Sequence, residues 1–182
     1  MNLQPSLENN LIHIRPLSLD DYEQLFQTAS DPEIWVQHST SDRWLPDGFK
    51  KFFDESIQSK GALVIIDKWS NTIIGSSRFH IEEDIADAVE IGWSFLSKAF
   101  WGGGYNRSIK SLMIEHALQS KDNVLFLIAF DNIRSQKATE KLGGEQIYID
   151  DYPQYFINKK KHLRFRINQR IWEMQFWPQS AQ

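Results

Sequence analysis

The sequence predicts an α+β fold in which a helix pair packs on a central sheet. Three observations point there. Strand-like segments cluster in the middle of the chain, amphipathic helical segments lie before and after them, and a glycine turn, Gly102-Gly103-Gly104, joins the last of those strands to a helix. No internal repeat or linker-like stretch interrupts the chain, so a single domain over residues 1–182 is expected.

Met1 to Asn10 is polar, contains Pro5 and reads as a loose lead-in. Leu11 to Arg15 alternates Ile12 and Ile14 with His13 and Arg15, as a strand does, and Pro16 ends it. Ser18 or Asp20 can cap a helix carrying Tyr22, Leu25 and Phe26. Asp31-Pro32 restarts a short helix with Ile34 and Trp35. A third helix is expected from Asp47 to Ser59, with Phe49, Phe52, Phe53 and Ile57 on one side. Ala62 to Asp67 and Thr72 to His80 read as a hairpin across the polar turn Lys68 to Asn71, and Ala86 to Leu96 as the next strand. In the helix after the glycines, Ile109, Leu112, Met113, His116 and Ala117 share a face. Val124 to Phe130 is a buried type of strand, and Asn132 to Leu142 a helix stopped at Gly143-Gly144. Gln146 to Ile149 and Leu163 to Asn168 complete the strands, with a long polar connection between them.

Composition limits the function classes. Hydrophobic residues make up 41% and aromatics 13%, with 12 Phe and 7 Trp, enough to build an interior without staples. The balance of 24 acidic and 20 basic residues argues against a general nucleic-acid binder. With no cysteine, neither a disulfide framework nor a thiolate metal site can form, which fits a reducing cytosol. The N-terminus lacks a basic flank and an apolar run, and apolar segments such as Ala62 to Ile66 are too short to span a bilayer. A soluble cytoplasmic protein without membrane contact is expected. His13, His38, His80, His116 and His162 show no metal spacing, so no metal site is expected. His116 reads as a packing residue. Lys159-Lys160-Lys161-His162 reads either as a solvated turn before the last strand or as a contact for RNA or an acidic substrate. Trp35, Trp44, Phe49, Phe52 and Phe53 read as mostly core.

Two segments carry chemistry. Glycines can bend the backbone sharply and expose its N–H groups, and the helix that follows begins with unpaired amides at a positive dipole end. Together these make a seat for a phosphorylated ligand. A dinucleotide fold would place its glycines after the first strand of a βαβ unit, with an acidic ribose ligand about twenty residues on. Here they follow an antiparallel run, and Lys121-Asp122 lies in a polar loop. In the second segment, Asp131 to Gly144, Asn132 follows a strand end, and Ser135 and Lys137 lie near a helix start. Asp131 or Asn132 can serve as a helix cap, and a cap can also touch a ligand.

Taken together, EIGWSFLSKAFWGGGY, NIRSQKATEKLGG and LRFRINQRIWEM resemble the GNAT superfamily of acetyl-CoA-dependent N-acyltransferases, from about Leu11 to Glu173. Trp101 followed by Gly is typical of the branch that includes the ribosomal-protein N-terminal acetyltransferases, and the first two runs look like that branch's EIGYWL…YWGKGY run and its N-x-x-S-x-x-x-x-x-K-L-G-F segment. Against the family's loop Q/R-x-x-G-x-G/A, Gly104 fits, whereas Trp101 and Asn106 depart from the commonest form. The resemblance implies the GNAT fold, a mixed and mostly antiparallel central sheet flanked by helices. It implies acetyl-CoA as cosubstrate and an amine acceptor, either a protein N-terminus or a small molecule such as a polyamine, an amino acid or an aminoglycoside. It also implies that the amides of Gly102, Gly103, Gly104, Tyr105, Asn106 and Arg107 hold the pyrophosphate. Phe95 and Leu96 would offer backbone groups to the pantetheine arm, Asn132 would sit near the thioester, and Ser135 and Lys137 would line the far side. A homodimer is left open.

An amine must be neutral to attack a thioester; at pH 7 that costs on the order of 1 kcal/mol for an α-amine and about 4–5 kcal/mol for a lysine. One carboxylate can meet the smaller demand. Glu90, on the strand leading into the loop and alternating with Val89 and Ile91, reads either as that base or as a strand glutamate paired with an arginine. Glu82, Glu83 and Asp84 are alternatives that read as a solvated turn. Where the family often has a tyrosine acid, this chain has Thr139, which leaves Ser135, water or unaided departure of the thiolate. A GNAT-like acyl-CoA-binding module without catalysis is the alternative function.

Overall fold

The computed structural model describes residues 1–81, 85, 87–147, 156–157 and 160–176. The chain runs β1 (Leu7–Glu8), β2 (Ile12–Pro16), a 3-10 turn (Leu19–Asp21), α1 (Tyr22–Ala29), a 3-10 turn (Pro32–Ile34), α2 (Pro46–Gln58), β3 (Ala62–Asp67), β4 (Thr72–Ile81) and β5 (Ala88–Leu96). A 3-10 turn (Lys98–Phe100) leads to α3 (Tyr105–Leu118), β6 (Asn123–Ala129), α4 (Ile133–Glu140), β7 (Glu145–Ile147), β8 (Phe156–Ile157), β9 (Lys160–Asn168) and α5 (Gln169–Phe176). The strands lie in the order β1-β2-β3-β4-β5-β6-β9-β7, and β8 pairs with β9. Every pairing is antiparallel except that of β5 with β6. This is the expected mixed sheet flanked by helices.

Both faces of the sheet are covered. β3 shows how: Leu63 and Ile65 join one core with Ile109, Met113 and Ile114 of α3, while Ala62 and Val64 join a second with Leu25, Phe49, Phe52 and Phe53 of α1 and α2. A strand buried on both sides reads as a continuous apolar run, and β3 does. Trp35, Phe49, Phe52 and Phe53 are core as expected, whereas Trp44 is partly exposed.

Several segments differ from expectation. Residues 1–10 are tied down: β1 pairs with β2, Asn9 Oδ1 accepts from the Leu11 and Ile12 amides, and Leu3 and Leu7 pack on the core. α5 was not anticipated; Asn168 Oδ1 caps it by accepting from the Ile171 amide, and Trp172 is buried against the core. The basic run is not a turn, because Lys160, Lys161 and His162 belong to β9, with His162 buried. Phe130 lies beyond β6 and is exposed. On α3 the buried face is Ile109, Lys110, Met113, Ile114 and Ala117, with Leu112 and His116 only half buried. Ala86, Glu82 to Asp84, Ile149, Lys159 and most of the polar connection before β9 lie outside the described residues.

The turn after β2 is held by Asp21. Its carboxylate accepts from both Arg15 terminal nitrogens at 2.8 and 2.7 Å and from the Ser18 amide and hydroxyl at 2.8 and 3.0 Å. Burial works against the charge, but these hydrogen bonds and the Arg15 cation outweigh it and hold the acid below its ordinary range. The stabilisation is therefore present above the unfolded value of about 3.9 and is lost as pH falls through the folded value. Asp21→Asn is expected to cost about 1–3 kcal/mol at pH 7 and less in acid, which urea unfolding at both pH values measures; an equal loss at both would contradict this account.

Candidate active site

β5 and β6 share only the pairs Ala88–Asn123, Val89–Val124 and Glu90–Leu125. Beyond Glu90 they part, so Ile91 to Leu96 and Phe126 to Ala129 become walls of a cavity of about 880 Å³. A second irregularity opens the same place. Ser76 pairs with Phe95 and Arg78 with Gly92, which leaves Trp93 and Ser94 opposite Ser77 alone. Trp93 takes a φ of 50°, a left-handed conformation that a bulky residue rarely adopts. Its ring is pinned by the Arg78 guanidinium at 4.5 Å and by an edge contact with His80 at 5.7 Å.

The glycine turn closes one end of the cavity. Gly102 and Gly104 have φ of 77° and 83°, and a Cβ on either would meet nothing within 4 Å, so the space above the bend is open. The bend is braced by its neighbours. Trp101 Nε1 donates to the Leu96 carbonyl at 2.8 Å, and the Arg134 guanidinium stacks 4.0 Å from the Trp101 ring. Tyr105 Oη donates to Asp67 Oδ1 at 2.9 Å, which raises the phenol's pKa. Asn106 and Arg107, in the first turn of α3, face the cavity.

Of the residues singled out from sequence, Glu90, Phe95, Leu96, Gly102, Gly104, Asn106 and Arg107 line this one cavity, as do Asn132, Ser135 and Lys137 from α4 and its cap. Gly103 and Tyr105 do not; the Tyr105 ring turns toward Phe100 and its hydroxyl to Asp67. Asn132 caps α4, its Oδ1 accepting from the Ser135 amide at 3.1 Å. Thr139 is buried on the cavity wall.

Glu90 is 8% exposed and sits where the two strands part. Gly92 makes room for it: a Cβ there would stand 2.7 Å from Glu90 Oε1. Across the gap is a residue that sequence reasoning missed. Lys110 of α3 is buried on the cavity wall; its Nζ donates to Ser94 Oγ at 2.5 Å and lies 5.6 Å from the Phe126 ring centre. Burial pushes its ammonium down to about 7, against the opposing pull of the Glu90 charge. Arg43 also lines the cavity, its guanidinium 4.6 Å from the Phe52 ring centre and 5.6 Å from that of Trp35, with burial lowering its pKa.

A signal for Lys110 was available. Ile109, Met113 and Ala117 fit two helical stripes equally, one closed by Leu112 and His116 and one by Lys110 and Ile114. The second is the buried one. No group of three or more His, Asp or Glu side chains is placed to hold a metal ion among the described residues, and no helix there is long and apolar enough to cross a membrane.

The anionic diphosphate of a coenzyme A thioester fits this donor set. The open bend, the first-turn amides of α3 and the Arg107, Arg134, Lys137 and Lys141 side chains lie on the same walls. Solved structures of the same fold include a GCN5-related N-acetyltransferase from Brucella melitensis (TM-score 0.80, 14% identity, 93% of this chain and 80% of that one). Another is an acetyltransferase of the GNAT family from Bacillus anthracis (TM-score 0.73, 16% identity, 91% of this chain and 99% of that one). A third is the ribosomal-protein-S5-alanine acetyltransferase from Vibrio fischeri (TM-score 0.66, 17% identity, 92% of this chain and 98% of that one). At such identities the likeness is one of fold. No curated protein sequence matches. A family model described as an acetyltransferase (GNAT) domain matches residues 12–145, and the chain belongs to that family.

Proposed function

We propose that the protein transfers acetyl from acetyl-CoA to a primary amine by direct attack of the amine on the thioester. The observation that carries this reading is the parting of β5 and β6 in line with the left-handed glycine bend at the start of α3. A pantetheine arm can pair with parted strands as an added strand does, while its diphosphate takes the amides of the bend. When bound, acetyl-CoA supplies the electrophilic carbonyl carbon. Glu90 then takes the proton of the incoming amine, Asn132 and Ser135 position the arm near the reacting end, and Arg107 and Lys137 hold the anionic end.

The acceptor side of the wall narrows the choice of amine. Arg43, His38 and His80 stand on it, and Glu90 is the only carboxylate among the described lining residues. A polyamine or an aminoglycoside brings several positive charges to that wall. A protein N-terminus, as in the ribosomal-protein branch, or a small amine bearing a carboxylate brings fewer.

A thiol-release assay with acetyl-CoA tests the reading against N-terminal peptides, amino acids, spermidine and an aminoglycoside. Release is expected with a peptide or an amino acid and not with the two polycations. Coenzyme A binding without release across the whole panel would favour the non-catalytic module, and no binding at millimolar concentration would remove both readings.

A further inference from the structure

Lys110 is a liability that packing does not explain. A methionine would fill the same space beside Phe126 without bringing a cation into the interior. Its surroundings are hydroxyls and one carboxylate. Nζ donates to Ser94 Oγ at 2.5 Å and lies 3.4 Å from Ser77 Oγ, and the two hydroxyls are 2.7 Å apart. Ser94 Oγ also donates to the Gly92 carbonyl at 3.2 Å, at the bulge itself. The groups that face the ammonium are thus Ser77 from β4, Ser94 and the Glu90 charge from β5, and Phe126 from β6. All of them except Ser77 line the gap between the parted strands, as Lys110 does.

Among the described residues that line this gap there is no tyrosine to serve as the proton donor. Thr139 stands where the resembled family often has a phenol, and the Tyr105 hydroxyl is committed to Asp67, outside the cavity lining. We propose that Lys110, acting with the Ser94 hydroxyl, gives the proton that converts the departing thiolate to a thiol. This rests on the acetyltransferase reading above. As the amine nitrogen bonds to the carbonyl carbon, the carbon–sulfur bond breaks and its electron pair goes to sulfur. A proton passes from the Lys110 ammonium to that sulfur, directly or through Ser94 Oγ. The proton that Glu90 removes from the attacking amine restores the ammonium by way of solvent, so the sum is amine plus thioester to amide plus thiol. Burial suits the ammonium to this role, because at about 7 it gives up its proton far more readily than an exposed lysine at about 10.4.

Two variants separate proton donation from charge and from shape. Lys110→Arg keeps the charge but does not release a proton, and Lys110→Met keeps the volume without the charge. Both are expected to lower kcat about tenfold or more with KM for acetyl-CoA within about twofold, and normal turnover in either overturns the assignment. A second readout needs no turnover: ultraviolet titration of the thiolate of bound coenzyme A. In the wild-type protein the bound thiol is expected to titrate at least about one unit below the free thiol, because a nearby cation favours the thiolate, and in Lys110→Met it should not. A thiol pKa that is unshifted in the wild-type protein, or the same in both proteins, overturns the proposal even if neither variant folds well enough for kinetics. Calorimetry with coenzyme A keeps the two levels apart. Absence of binding defeats the acetyltransferase reading, whereas binding with an unshifted thiol defeats only the role of Lys110.

Discussion

Glu90→Gln is expected to lower kcat by about 10²–10⁴-fold, or about 3–5 kcal/mol in the barrier, with coenzyme A affinity unchanged. The amide keeps the shape of the carboxyl and its place over Gly92, so β5 and the bulge should stand. What it loses is the capacity to accept a proton from the amine. It also removes the negative charge that supports the Lys110 ammonium, so Lys110 should titrate lower still in the variant. Steady-state rates over a pH series, paired with calorimetry for coenzyme A, make the measurement. Wild-type turnover throughout that series with a good acceptor would show that the base lies elsewhere.

Gly104→Val is expected to weaken coenzyme A binding by about 10–100-fold, the equivalent of roughly 1.4–2.8 kcal/mol. The effect does not come from crowding in the free protein, since a Cβ at this position meets nothing within 4 Å. It comes from the backbone. Gly104 holds a φ of 83° as the N-cap of α3, and a β-branched residue there must either bear that strain or re-aim the first-turn amides. The empty space is also where the diphosphate is expected, so the new methyl groups would compete with it. Isothermal titration of the variant measures the loss; wild-type affinity would mean that the diphosphate is held somewhere else.

The sheet was legible in the chain because its signals are local. Ala62 to Asp67 is β3 residue for residue, since a strand covered on both faces leaves an unbroken apolar run between polar turns. The glycine bend and the α4 cap were legible for the same reason: φ preference and side-chain capping act within a few residues. The bulge at Trp93 was not, because it exists only as a mismatch of register between β4 and β5. Lys110 was hidden by a near-tie between helical stripes that only the packing of Ile114 resolves. α5 was missed because its anchor, Trp172, is buried against residues far earlier in the chain. β1 escaped because a two-residue strand has no periodicity to read.

In most sheets the middle strands are the firmest and the margins fray. Here only three register pairs join β5 to β6, against five between β2 and β3 and seven between β6 and β9, so a weak seam runs through the centre. A guest lying in that seam would act as a missing rung, knitting the halves together. Amide hydrogen exchange should therefore slow most at Ile91 to Leu96 and Phe126 to Ala129 when coenzyme A is added, deep inside the molecule, while the outer strands hardly change.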